Sequence, residues 1–185
     1  MPDRKKSTPL RFPVLEHGAE SLVQGYLMRR NILTYQAPRK NEGYDLICIH
    51  PDPSKKVKRV IRVQVKSRYQ IDCDRSVVVP KKSLGKFDFV VAVFLNVGYF
   101  YRKAEGLNGK EEKAEFFTLP AVWVEQHLNK RSSWGKLSLK QPSVDRFKDD
   151  KGFELIAKRL GIDYPARLQR TTSRRANDQR PTTDS

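Results

Sequence analysis

Three polar residues stand in stretches whose other members belong in a core. Asp45 lies in "YDLICI", residues 44–49, and Gln64 and Lys66 lie in "VIRVQVKSR", residues 60–68. Side chains along a strand alternate between its faces. Ile61, Val63 and Val65 therefore share one face, and Arg62, Gln64 and Lys66 the other. In the preceding stretch Asp45 points away from the side of Tyr44 and Leu46. If the two strands pair as an antiparallel hairpin, a carboxylate, an amide oxygen and an ammonium meet at one end of a sheet. Such a set suits a hard divalent cation, Mg²⁺ or Mn²⁺, which takes oxygen ligands and keeps room for waters and substrate phosphate. Asp45 offers a charged oxygen and the Gln64 carbonyl a neutral one. A cation held there lowers the pKa of bound water and offsets charge on a phosphodiester. Lys66 would orient that water or balance the charge that builds in the transition state.

Each residue also has an ordinary role when taken singly. Asp45 could open a strand after Gly43, and Lys66 could snorkel from a strand end. Gln64 is the hardest to explain that way, because a polar side chain among valines must find partners if buried.

The elements that would position these residues can be read from pattern. Leu15, Ala19, Leu22, Val23, Tyr26 and Leu27 fall at helical spacing, which predicts an amphipathic helix over residues 15–30. Glu16, Glu20 and Gln24 form a polar line beside that stripe. Residues 32–36 read as a short edge strand, followed by the basic, turn-prone "APRKNEG". "YDLICIH" and "RVIRVQVKSR" are the next strands, joined by the hairpin linker "PDPSKKVK". "SVVVP" is a further strand, and "FDFVVAVFL" is apolar on both faces, as a strand covered on both sides must be. "GYFYR" could pair with it, and "AEFFTL" is expected as the last strand. Pro120 opens a helix through "PAVWVEQHL", "NKRSSWGK" is a loop, and residues 144–160 form a final helix ending at Gly161. Phe116, Phe117, Trp123 and Trp134 are expected in packing, and Asp88 as a structural cap on its strand. The expected class is α/β, a mixed central β-sheet flanked by helices in a sandwich. Residues 1–13 read as a basic flexible arm, 14–164 as one domain, and 165–185 as a disordered basic tail.

The formal net charge is +16 on 185 residues, with 38% hydrophobic and 31% charged residues. Residues 1–12 and 166–185 each carry a net +3, which leaves +10 for the rest. The folded part is itself basic, so its natural partner is a polyanion, most commonly nucleic acid. The two cysteines, Cys48 and Cys73, lie far apart and form no zinc knuckle or disulfide framework. That usage suits a reducing, cytoplasmic setting. No signal-peptide pattern is seen, and the longest apolar run is too short and β-branched for a membrane helix.

An acidic helix, then "YD", then "QVKSR" resembles the PD-(D/E)XK nuclease superfamily. "AESLVQGYLMRRNI" looks like that family's first helix, with Glu20 in the place of its acidic residue. Gln64-Val65-Lys66 stands where the family has an acidic residue, any residue and lysine. The glutamine is similar to that of intron homing endonucleases in the superfamily, and "KSR" resembles archaeal Holliday-junction resolvases. "EGYD" replaces the proline that the family name would place before its aspartate. The resemblance spans roughly residues 16–130 and implies a restriction-endonuclease-like sandwich. It implies a Mg²⁺-dependent (or Mn²⁺-dependent) DNA endonuclease, with Asp45, Gln64 and Glu20 as metal ligands. Glu20, Asp45, Gln64 and Lys66 would be the catalytic set. Arg39, Lys40 and Arg68 are expected phosphate contacts. A homodimer is expected if both strands of a duplex are cut. The alternative is a non-catalytic nucleic-acid-binding protein on the same fold; a basic RNA-associated protein is a third, weaker reading.

Overall fold

β3 (Ile61–Arg68) is the strand on which the sheet is assembled. The computed structural model describes residues 13–38, 41, 43–55, 60–99, 110–129 and 134–163. The basic arm before residue 13, Arg39, Lys40 and the tail from 164 onward lie outside them. Helix α1 (Pro13–Met28) comes first, then β1 (Leu33–Gln36), β2 (Leu46–Ile49) and β3. β4 (Ser76–Val78), β5 (Phe89–Phe94) and β6 (Glu115–Pro120) follow. Helix α2 (Ala121–His127), β7 (Lys136–Ser138) and helix α3 (Asp149–Leu160) complete the order.

The main sheet is five-stranded in the order β1-β2-β3-β5-β6. β1, β2 and β3 are antiparallel neighbours, β5 runs parallel to β3, and β6 returns antiparallel. The expected hairpin of β2 and β3 is therefore present, with Leu46 opposite Val63 and Cys48 opposite Ile61. The result is the expected mixed-sheet α/β sandwich.

Alternation divides the core in two. Ala19, Val23 and Leu27 of α1 and Phe153, Ile156 and Ala157 of α3 pack with Val63, Val65 and Val91. On the opposite face, Trp123 and Val124 of α2 pack with Val90, Ala92 and Phe94. All six residues of β5 are buried, because both of its faces are covered. α1 stops where Asn31 takes a positive φ of 60° and Ile32 N–H reaches back to the Leu27 carbonyl.

Four readings change or narrow. β4 leaves the main sheet and pairs with β7 in a separate two-stranded sheet. β7 and its pairing follow directly on the expected loop "NKRSSWGK", so "AEFFTL" does not supply the last strand. The single final helix is instead a 3-10 turn over Pro142–Phe147 and then α3. The break is held by tertiary contacts: Lys148 bridges to Phe117, and Phe116 N–H donates to Asp149 Oδ1 at 3.1 Å. Asp149 takes a φ of 48° to allow it. Most of "GYFYR" lies outside the described residues; beside it, Val97 forms an isolated bridge with Glu111. α3 ends as expected, with Gly161 at a left-handed φ of 74°. Both cysteines are free, and no described helix is long and apolar enough to cross a membrane.

Candidate active site

Asp45 stands where β2 leaves β3. Its N–H still donates to the Val63 carbonyl at 2.9 Å, and its own carbonyl accepts from Ala37 N–H at 2.8 Å. The next ladder position is filled by a side chain: Val65 N–H donates to Asp45 Oδ2 at 2.7 Å. The chain leaves through Gly43, whose φ is 114° and where a Cβ would come within 2.4 Å of the Lys86 side chain. Only glycine fits there. Asp45 thus ends the ladder and is clamped to it through Oδ2.

Asp88 does the corresponding structural work on the other edge of β3. Its Oδ2 accepts Arg62 N–H at 2.8 Å and Arg62 Nε–H at 3.2 Å. That is the capping role expected for it.

Beyond Val65 the β2 side of β3 opens into a cavity of about 360 Å³. Glu16 and Glu20 of α1 line it on one side, and Asp45, Lys66 and Arg68 line it at the strand ends. Val77 and Val78 of β4 close the opposite side. Glu20, Asp45 and Lys66, drawn from a helix and two strands, therefore share one space.

The cavity's electrostatics are those of crowded carboxylates. Burial raises the Glu20 pKa, and the negative charge of Asp45 raises it further. His17 opposes this in part, its Nδ1 lying 3.6 Å from Glu20 Oε2. A cation near Glu20 would offset the negative charge that raises its pKa.

Gln64 stands apart from that wall. It is 4% exposed, and its register partner on β5 is Val90, in the core on the α2 side. Its Oε1 is buried with no hydrogen-bond partner, a costly state for an amide oxygen. Among the described residues no three His, Cys, Asp or Glu side chains group as a metal site. Of the three expected ligands, Glu20 and Asp45 line the cavity and Gln64 does not.

Arg68 lines the cavity, and its guanidinium is paired with Asp74 at 2.9 Å. Its role in the wall is therefore structural as well as electrostatic. Glu16 was not singled out by the sequence reasoning, although it sits one turn before Glu20 on the polar line. Tyr69 O–H donates to Glu16 Oε1 at 3.4 Å, a contact with no sequence signal. His50 and His127 bond locally, to Asp52 N–H and toward the Trp123 carbonyl.

No protein-family model and no curated protein matches the sequence. Solved structures do. A bacterial homing endonuclease, I-Ssp6803I, superposes with a TM-score of 0.50 at 15% identity, over 82% of this chain and 94% of that one. The likeness is one of fold, a restriction-endonuclease-like mixed sheet flanked by helices. The Holliday junction resolvase Hjc of Archaeoglobus fulgidus is also similar, with a TM-score of 0.45 and 12% identity, over 81% and 98% of the two chains. On this fold, the mixed sheet places the ends of β2 and β3 beside α1, where Glu20, Asp45 and Lys66 line one cavity.

Proposed function

We propose that this chain is a divalent-metal-dependent endonuclease that hydrolyses DNA phosphodiester bonds. One observation carries the reading: Glu20, Asp45 and Lys66 line a single cavity at the point where β2 leaves β3. Asp45 is the main cation ligand, fixed by Val65 N–H through one oxygen. Glu20 would be the second charged ligand; Gln64, the expected neutral one, would have to turn its Oε1 toward the cavity, whose wall it does not line. Bound there, Mg²⁺ or Mn²⁺ would activate the attacking water and offset phosphate charge. Lys66 places its ammonium against the water or the developing charge. The excess positive charge of the chain draws the DNA in.

The test is incubation of plasmid and branched DNA with Mg²⁺ or Mn²⁺, with EDTA and Lys66→Ala as controls. Cleavage that disappears in both controls is expected. Binding to DNA without cleavage of any substrate would overturn the catalytic reading.

A second reading, a nucleic-acid-binding protein without catalysis, is favoured by one feature: Gln64 is buried and absent from the cavity wall. Gln64→Glu separates the two. A ligand role predicts Mg²⁺ affinity kept or raised by calorimetry, since a charged oxygen replaces a neutral one. Weaker Mg²⁺ binding in that variant would count against Gln64 as a ligand.

A further inference from the structure

Arg68 lies in the cavity wall at the end of β3, and Asp74 holds it there: Arg68 Nη2–H donates to Asp74 Oδ1 at 2.9 Å. The same aspartate reaches two other elements. At the start of β4, Ser76 Oγ–H donates to Asp74 Oδ1 at 2.9 Å, and Ser76 N–H donates to the Asp74 carbonyl at 2.8 Å. β7 begins at the surface, since Trp134 just before it is 75% exposed rather than packed, whereas Phe116, Phe117 and Trp123 are buried as expected. From the first residue of β7, Lys136 Nζ donates to Asp74 Oδ2 at 2.6 Å. Lys136 is also the register partner of Val78. Asp74 therefore joins the strand end that carries Arg68 to the small sheet whose Val77 and Val78 close the cavity.

The charges at this junction do not cancel. A lone aspartate against Arg68 would neutralise it and leave little for an anion. Here Lys136 takes the second oxygen, so Arg68, Asp74 and Lys136 together carry a positive charge. The Lys136 hydrogen bond is also the largest of the effects that hold the Asp74 pKa below its ordinary value, so the carboxylate stays ionised at neutral pH. Arg68 is partly exposed, and its buried Nε–H has no hydrogen-bond partner among the described residues. A guanidinium holds its N–H donors in one rigid plane, so a bond that fixes one donor aims the rest.

We propose that Asp74 is a positioning residue: with Lys136 as its counter-charge, it holds the Arg68 guanidinium in the cavity wall so that Arg68 takes a phosphate of the DNA backbone. Asp74 itself touches no substrate. This rests on the nuclease reading of the cavity, which makes DNA the ligand and Arg68 a phosphate contact. The sign of the effect sets the proposal apart. Removing a carboxylate from a basic surface ordinarily tightens the binding of a polyanion. Removing a carboxylate that aims an arginine does the opposite.

The test uses the full chain and a short duplex DNA in EDTA, titrated at several salt concentrations. Asp74→Ala and Arg68→Ala are each expected to weaken binding about tenfold and to lower the salt slope by about one. The double variant should bind no more weakly than Arg68→Ala, because Asp74 acts through Arg68. Asp74→Asn keeps an oxygen for Arg68 Nη2–H and should bind at least as tightly as the wild type. Binding by Asp74→Ala as tight as the wild type or tighter would overturn the proposal. So would a double variant weaker than Arg68→Ala, which is what a merely structural Asp74 predicts. If Asp74→Ala does not fold, Asp74→Asn decides alone, and a loss beyond about twofold in it overturns the proposal. Cleavage with Mg²⁺ is scored separately, and the loss in Asp74→Ala is expected in KM for DNA rather than in kcat. Asp74-dependent binding by a chain that cleaves nothing supports the positioning role while sinking the nuclease reading. Cleavage with an unchanged KM in Asp74→Ala sinks the positioning role alone, and no binding of DNA by the wild type sinks both.

Discussion

Glu20 and Asp45 set the terms at the scale of single residues. Burial and the Asp45 charge raise the Glu20 pKa in the folded chain. A carboxyl raised on folding imposes no charge penalty while protonated, below about pH 4. Its ionisation then weakens the fold as pH rises through the folded value. Glu20→Gln is therefore expected to raise the melting temperature of the metal-free protein near pH 7 by a few degrees. Near pH 3.5, below the ordinary carboxylate pKa of about 4.3, the two proteins should melt alike. Saturating Mg²⁺ should reverse the order, because a ligand at about 100 times its Kd stabilises by about 2.7 kcal/mol and the variant offers it a neutral oxygen in place of a charged one. Scanning calorimetry at the two pH values, with and without Mg²⁺, checks both statements. A variant no more stable than the wild type near pH 7 would contradict the strained-carboxylate account.

At the scale of elements, position is fixed where one element replaces another's hydrogen bonds. Asp45 takes the place of a β2 residue against Val65, and Asp88, just before β5, takes the place of a β5 residue against Arg62. The break before α3 follows the same rule, since Asp149 caps Phe116 N–H at β6. Just inside α3, Gly152 lets the helix approach that junction: a Cβ would come within 2.1 Å of the Phe147 carbonyl oxygen and 3.0 Å of Thr118 Cβ. Gly152→Ala would ordinarily favour a helix. Here it is expected to destabilise by about 1–3 kcal/mol through overpacking, measurable as a lower denaturant midpoint with unchanged slope. A stabilised variant would show that α3 sits away from β6.

Across the whole molecule, Glu115 ties distant segments together. It accepts from Arg75 at 2.6 Å and Lys148 at 2.5 Å, joining β6 to the chain before β4 and the chain before α3. Arg75 also lies over the Phe94 ring at 4.0 Å. Burial pushes the Glu115 pKa up, but the hydrogen bonds and charges of Arg75 and Lys148 outweigh it and bring it down to about 2. A depressed carboxylate stabilises above its unfolded pKa, and that contribution fades as pH falls toward about 2. Glu115→Gln should therefore lower the denaturant midpoint at neutral pH and approach the wild type near pH 2, where the wild-type carboxyl is also taking up its proton. A gap between the two proteins that stays constant over that range would mean the ion pairs contribute nothing.

Part of the candidate site is legible in the sequence alone. Period-two alternation puts Gln64 and Lys66 on one face, yet Lys66 lines the cavity while Gln64 is buried away from its wall; the helical stripe fixes which side of α1 carries Glu20. Both are local rules of backbone geometry, so neighbours in sequence suffice to apply them. Gln64 was also the polar residue that burial would leave in need of a partner, and its Oε1 is buried and unpartnered. The pairing of β4 with β7, the kink before α3, the exposure of Trp134 and the Glu16–Tyr69 contact were decided only by tertiary structure. Each depends on segments far apart in the chain: β4 meets β7 across some sixty residues, and Asp149 reaches β6 across thirty-three. Residue types alone carry no record of such meetings. The sequence determined which residues could do chemistry and on which faces they stand. The fold decided that Glu20, Asp45 and Lys66 share one cavity while Gln64 is buried away from its wall, because strand ends and helix faces meet only when the sheet is packed.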